Sequence, residues 1–276
     1  MDAAALRTIA VHIPTEELTE RLLDVAGPLA SACHARIVGV HALPSVVVYA
    51  DVTVPVSAEF IMAQQESFQK TAKAIGERFR ARASFLGLES EWRAPESDAG
   101  APMPMAIDAC RTADLVVASQ WDDSIPASSG YSPADLVMAV GRPVLLVPTA
   151  GRFGEVGRNV VVTWNGSRES ARAAFDALPL LQDNAQVHLL SVGDDGAESA
   201  QAMADALARH GLSVEVATAH GSEIPPADEI LSRSADLGAD LIVMGCYGHS
   251  RMRETVFGGV TSSMLRQMTA PVLMSH

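Results

Sequence analysis

Ala113-Asp114-Leu115-Val116-Val117 and Ala239-Asp240-Leu241-Ile242-Val243 are two versions of one pentad, 126 residues apart. Each is apolar without alternation, as a strand buried on both faces of a parallel sheet should be. Two further pairs keep the same order. Arg7-Thr8-Ile9-Ala10-Val11 matches Arg158-Asn159-Val160-Val161-Val162 at an offset of 151, and Pro143-Val144-Leu145-Leu146 matches Pro271-Val272-Leu273-Met274 at 128. Ordered matches with shrinking offsets mean a duplication. The first copy carries an insertion of about two dozen residues, between 42 and 90.

Working outward, each copy alternates β-branched runs with helical patterns. The strands read roughly 6–13, 35–42, 88–93, 115–119 and 143–147, then 158–164, 186–192, 213–218, 241–245 and 271–275. A long amphipathic helix over 58–86 carries Ile61, Phe68, Ala72, Ile75, Phe79, Ala83 and Leu86 on one stripe. Strand-helix alternation predicts two tandem, doubly wound α/β domains with five-stranded parallel sheets. Their bounds are 1–150 and 156–276, joined through the glycine-rich Ala150-Gly151-Arg152-Phe153-Gly154. The apolar stretch 43–57 of the insertion reads either as an extra strand or as a partner surface.

Composition removes several function classes. Residues 1–150 hold 11 cations against 18 acids, and residues 151–276 hold 9 against 15. Two acidic halves argue against sequence-independent nucleic-acid binding and against an anionic membrane surface. The only lysines, Lys70 and Lys73, do not follow glycine, which excludes a P-loop. No apolar run approaches a membrane span, and Met1-Asp2-Ala3 does not open a signal peptide. Cys33, Cys110 and Cys246 suit neither a disulfide framework nor a zinc site. A cytoplasmic setting is expected.

The chemistry concentrates after strand four of the second copy, in Gly245-x2-Gly248-x9-Gly258-Gly259-Val260-Thr261-Ser262-Ser263. Glycines let a ligand approach the backbone, and a helix opening at 258–262 offers unpaired N–H groups to a phosphate. Thr261, Ser262 and Ser263 add hydroxyls, while Arg251 and Arg253 make the loop locally positive. The competing reading is a plain glycine-rich connection. The loop after the first strand of this copy, Thr163-Trp164-Asn165-Gly166-Ser167-Arg168-Glu169, reads as a tight turn capped by Asn165 or Ser167. An Asn165 contact with a base or ribose is the alternative, and spacing leaves the two open.

The two repeats together resemble a tandem member of the universal stress protein family of the ATP-binding type, whose motif is Gly-x2-Gly-x9-Gly-(Ser/Thr). The resemblance covers nearly the whole chain. It implies that the backbone at the end of the first strand and the side chain in the acidic position there hold adenine and ribose, which are Thr163, Trp164 and Asn165 here, and that Val192 flanks the base. It implies that Met244, Gly245, Gly248 and His249 line ribose and phosphates, and that Gly258, Gly259, Val260 and Thr261 hold the phosphates. Asn165 stands where the family usually has Asp, and Gly259 where it has Ser or Thr. The first departure puts ribose or metal contacts in doubt; the second removes one hydroxyl, though Thr261 and Ser262 remain.

The first copy has lost the motif. Ser119 and Asp122 stand where Gly245 and Gly248 do, Asp122 and Asp123 repel a triphosphate, and Pro14 removes a backbone donor. The expectation is therefore one ATP per chain, with or without Mg²⁺, in a stress-response regulator or sensor that is not an enzyme. The alternatives are an adenine-nucleotide hydrolase with slow ATP turnover and a nucleotide-free scaffold. No paired carboxylates or metal ligands are indicated, and Cys246 reads as a small loop residue rather than a redox sensor. Single-copy members are similar in pairing through their final strands. An intramolecular pseudo-dimer through 144–147 and 272–275 is expected here, with a homodimer of chains open through other surfaces.

Overall fold

The computed structural model describes residues 6–44, 57–97, 101–193, 196–219, 224–246 and 259–276. Most of the apolar 43–57 stretch lies outside the described residues, as do Gly248, His249, Arg251, Arg253 and Gly258.

The apolar runs form β1 (Thr8–His12), β2 (Arg36–Val40), β3 (Ser90–Arg93), β4 (Leu115–Ser119) and β5 (Val144–Val147) in the first half. The second half contributes β6 (Asn159–Thr163), β7 (Gln186–Val192), β8 (Ser213–Ala219), β9 (Leu241–Gly245) and β10 (Val272–Ser275). The repeated aspartates explain part of the repetition. Asp114, just before β4, accepts the N–H groups of Arg7 and Thr8 at 2.8 and 2.9 Å. Asp240, just before β9, accepts those of Gly157, Arg158 and Asn159 at 2.7–3.1 Å. Each carboxylate thus fastens the start of the first strand to the start of the fourth.

Helices α1 (Leu18–Cys33), α2 (Ala58–Phe85), α5 (Arg168–Asp176) and α6 (Ala197–Ala208) cover one face of the sheet. Helices α3 (Met103–Cys110), α4 (Pro133–Val140), α7 (Pro226–Asp236) and α8 (Val260–Gln267) cover the other. Local chemistry sets several starts. Ser57, Ser132 and Ser167 accept N–H groups of the first turns of α2, α4 and α5. The α2 stripe buries at Ala72, Ile75, Phe79 and Ala83, whereas Phe60 and Met62 near its start are exposed.

The two five-stranded sheets pair through their final strands, as expected, and so form one continuous sheet. The strand order is β3-β2-β1-β4-β5-β10-β9-β6-β7-β8, and every described pairing is parallel except β5 with β10. There Leu146, Leu145 and Val144 face Val272, Leu273 and Met274, and all six side chains are fully buried. Burying one such side chain is worth about 1.5–3 kcal/mol, so this seam is a core. Polar contacts flank it. The Gln120 amide donates to the Arg266 carbonyl of α8 at 2.8 Å and accepts from the Thr149 N–H at 3.1 Å. The Arg266 guanidinium lies 5.3 Å from the Trp121 ring centre. Arg172 donates to the carbonyls of His276 and Gly141, at 2.7 and 3.2 Å.

Two outcomes follow from this architecture. Asp240→Ala leaves three strand-end N–H groups without their acceptor and should lower stability by about 2 kcal/mol, read as a lower midpoint in a thermal melt. Residues 156–276 expressed alone expose β10 as an apolar edge and should self-associate or aggregate in sedimentation. A soluble monomer at high concentration would contradict the seam's importance.

Candidate functional site

In each half the chain builds outward from the first strand in one direction, then crosses back to build in the other. In the second half β6 is followed by β7 and β8 on one side and by β9 and β10 on the other. Ligands of open α/β sheets bind beyond the carboxyl ends of the strands where the order reverses. That point lies between the loop after β6 and the loop after β9, the two segments singled out from the sequence.

The β6 loop is built as a rigid turn. Asn165 Oδ1 accepts the Ser167 N–H at 3.1 Å, Gly166 takes φ +73°, and Ser167 Oγ accepts the Ser170 N–H at 3.2 Å. Ser167, not Asn165, caps α5. Asn165 remains exposed, with its amide nitrogen turned to no partner among the described residues. Thr163 Oγ1 donates to the Val243 carbonyl at 3.3 Å, tying β6 to β9. The Trp164 side chain turns inward. It is 7% exposed, packs in the core, and donates from Nε1 to Ser199 Oγ at 3.0 Å. Its backbone N–H is bound as well, to the Leu190 carbonyl at 2.9 Å.

Val192, at the end of β7, is half-buried against the apolar layer beneath α7 and α8. Met244 is buried in that same layer, so its side chain serves the core. Gly245 has a packing role that spacing could not reveal. A Cβ there would lie 2.3 Å from the backbone carbon of Glu169 and the nitrogen of Ser170, so the first turn of α5 rests directly on this glycine.

Gly259 is the N-cap of α8, and no side chain caps that helix among the described residues. The helix returns antiparallel to the strands, which puts its N-terminus at the carboxyl edge of the sheet. Val260 is half-buried, Thr261 buried and Ser262 exposed, so Ser262 carries the accessible hydroxyl of this turn. Gly248, His249, Arg251 and Gly258 lie outside the described residues.

Glu169 was not singled out from the sequence as a site residue. Its side chain is 5% exposed at the start of α5. Burial pushes its carboxyl up, but the Arg168 guanidinium bound to it, its own backbone N–H and His276 outweigh this and hold it below the ordinary value. Cys246 is buried, and its thiol donates to the Ser275 carbonyl at 3.3 Å. That is a packed, hydrogen-bonded thiol rather than an accessible one. Among the described residues no cluster of three or more His, Cys, Asp or Glu forms a metal site, and no helix is long and apolar enough to cross a membrane.

Comparison with known proteins gives likenesses to one family. The model of the universal stress protein family matches residues 157–276. The chain is 26% identical over 172 residues to the universal stress protein Slr1230 of Synechocystis sp., a match covering 58% of this chain and 57% of that protein. It is 35% identical over 49 residues to the universal stress protein MJ0577 of Methanocaldococcus jannaschii, covering 18% of this chain and 30% of that protein. The chain thus spans about half the length, or less, of these curated relatives. The crystal structure of a universal stress protein from Archaeoglobus fulgidus DSM 4304 superposes with a TM-score of 0.69 at 17% identity, covering 97% of this chain and 95% of that one. This likeness shows that the fold is shared over nearly the whole chain.

Gly245→Ala should destabilise the protein by about 1–3 kcal/mol, because the added methyl overpacks the α5 backbone. A lower thermal midpoint in the absence of any ligand checks this. An unchanged midpoint would show that Gly245 is kept for a reason other than helix packing.

Proposed function

We propose that this chain, whose residues 157–276 belong to the universal stress protein family, is a non-catalytic ATP-binding regulator or sensor of stress physiology. It would hold one adenine nucleotide, in its second half. The observation that carries this reading is the start of α8: a helix N-terminus without a side-chain cap among the described residues, at the switch point of the sheet, at the end of the Gly-x2-Gly-x9-Gly-Gly run.

The residues present suit a phosphate chain. The N–H groups at the start of α8 and the positive end of its dipole attract anionic oxygens. Gly259 has no side chain to obstruct the approach, and the Ser262 hydroxyl is exposed. Arg251 and Arg253 add positive charge to an otherwise acidic half. Asn165, exposed on its turn, offers a carboxamide to the ribose or base, and Val192 an apolar flank for the ring. Gly248, His249 and Gly258 complete the loop as the family pattern would use them.

Bound ATP would supply linkage energy, stabilising the folded chain by about 2.7 kcal/mol at a hundredfold excess over Kd. No residue near the start of α8 is arranged as a base toward a γ-phosphate among the described residues, so hydrolysis is expected to be slow. In the first half, Asp122 and the loss of the glycines oppose a second triphosphate.

Titration calorimetry on the intact protein should find about one ATP per chain, with or without Mg²⁺. Gly258→Asp should abolish the binding, and Arg251→Ala should weaken it about tenfold, the loss of one charge-assisted phosphate contact. Two sites of equal affinity would overturn the assignment to one half. ATP turnover at saturation should stay well below the ~1 s⁻¹ lower end of dedicated enzymes, and rapid turnover would make the protein an enzyme instead.

A further inference from the structure

The antiparallel seam sets the two halves head to tail: the carboxyl edge of the first lies beside the amino edge of the second. Helix α8 runs from the carboxyl edge of its own half to the amino edge, and so ends against the loop that follows β4 of the first half. Its eight residues make a rod about 12 Å long. That is too short for a helix to hold itself in isolation, so its position depends on what grips its ends.

The carboxyl end is gripped from the other half. The last four carbonyls of a helix have no partner within it. Here the Met264 carbonyl takes the Met268 N–H at 3.0 Å, the Leu265 carbonyl the Trp121 N–H at 3.3 Å, and the Arg266 carbonyl the Gln120 amide at 2.8 Å. Gln120 is 5% exposed, and its amide has one orientation that satisfies both partners, because its oxygen accepts the Thr149 N–H at 3.1 Å. Its own N–H donates to the Val147 carbonyl at 2.8 Å. One residue thus ties the end of β4, the start of the linker and the end of α8. The Arg266 guanidinium over the Trp121 ring adds a cation–π contact, and the indole N–H is held by Asp123 at 2.9 Å.

The duplication does not demand this arrangement. At the 126-residue offset that aligns the two fourth strands, Cys246 and Tyr247 stand where Gln120 and Trp121 do. A thiol is shorter than a glutamine side chain and cannot serve a carbonyl and an N–H as an amide does. The opposite end of the same helix carries Gly259 and Ser262, where the phosphates of the nucleotide reading would sit. A two-turn rod held at one end is aimed at the other.

We propose that Gln120 and Trp121 of the first half are positioning residues for the nucleotide site of the second: by holding the carboxyl end of α8 they aim its amino end at the phosphates. This inference rests on the nucleotide reading of the second half. It gives the first half, whose own motif is lost, a part in binding. Coupling is reciprocal, so ATP at the amino end must tighten the contact at the carboxyl end. Beyond Trp121 the loop passes over a cavity of about 650 Å³, walled also by the entry to α1, the residues after β2 and one face of α2. A shift of α8 can therefore be taken up in this loop, which has open volume on its far side.

The test uses the intact chain, with ATP and adenosine compared by titration calorimetry. Gln120→Leu and Trp121→Ala should each weaken ATP about fivefold and leave the adenosine affinity unchanged, because only the phosphates meet α8. A general loss of stability would weaken both ligands alike. Trp121→Phe, which keeps an aromatic face for Arg266, should recover most of the loss. In the unaltered chain labelled with 5-fluorotryptophan, the resonances belong to Trp92, Trp121 and Trp164. That of Trp121 should move with ATP and not with adenosine, and that of Trp92, on the outer strand β3, with neither. An unaltered chain that binds no ATP would overturn both the nucleotide reading and this inference. ATP binding that is unchanged in Gln120→Leu and Trp121→Ala, equal losses for ATP and adenosine, or a Trp121 resonance blind to ATP would each overturn this inference alone.

Discussion

The antiparallel pairing of β5 with β10 is the contact on which the rest of the molecule depends. It joins two five-stranded halves into one sheet, and it places six apolar side chains where no water reaches. Both apolar layers then run unbroken across the seam, one beneath α1 and α5, the other beneath α4 and α8. A half on its own would present this strand as a bare apolar edge. Joined, the outer strands among the described residues are β3 and β8, which are short or half-exposed and carry polar side chains such as Glu91, Arg93 and Glu215. Natural sheets blunt their edges in this way.

The seam also orients the two switch points. The scaffold is repeated, but the loops placed on it are chemically opposed. The second half brings Gly245, Gly259 and a helix start without a side-chain cap among the described residues to the carboxyl edge of its sheet. The first half brings Pro14, Glu17 and Asp122 to the corresponding edge, around a cavity. Fold and chemistry are thus separable within one chain, as they are between proteins that share a fold.

Much of the fold was legible in the sequence. Runs such as Leu241-Ile242-Val243 have no alternation because both their faces are buried, and the doubling of Ala-Asp-Leu located the fourth strand of each half. The final-strand pairing followed from the resemblance and from two equivalent Pro-Val-Leu strands. The candidate site was legible only at the level of segments. Trp164 lies in the loop singled out from the sequence, and its indole turns into the core to reach Ser199, a direction fixed by tertiary packing and not by sequence position. Gly245 looked like a ligand glycine because spacing records where a Cβ is missing and not which atoms occupy its place; here they are the backbone of α5. The first-half cavity was invisible because its walls come from four segments separated by up to about a hundred residues.

Because β5 and β10 each have neighbours on both sides, neither offers a free strand to another chain. A protein assembled from separate copies through that edge would obey mass action: dilution would part it, and related copies in the same cell would exchange into it. Here the partner is tethered, so its local concentration is fixed by the linker and not by expression level. The ratio of one half to the other stays at unity at any protein concentration, and the chain is closed to mixing with single-copy relatives through its central strands.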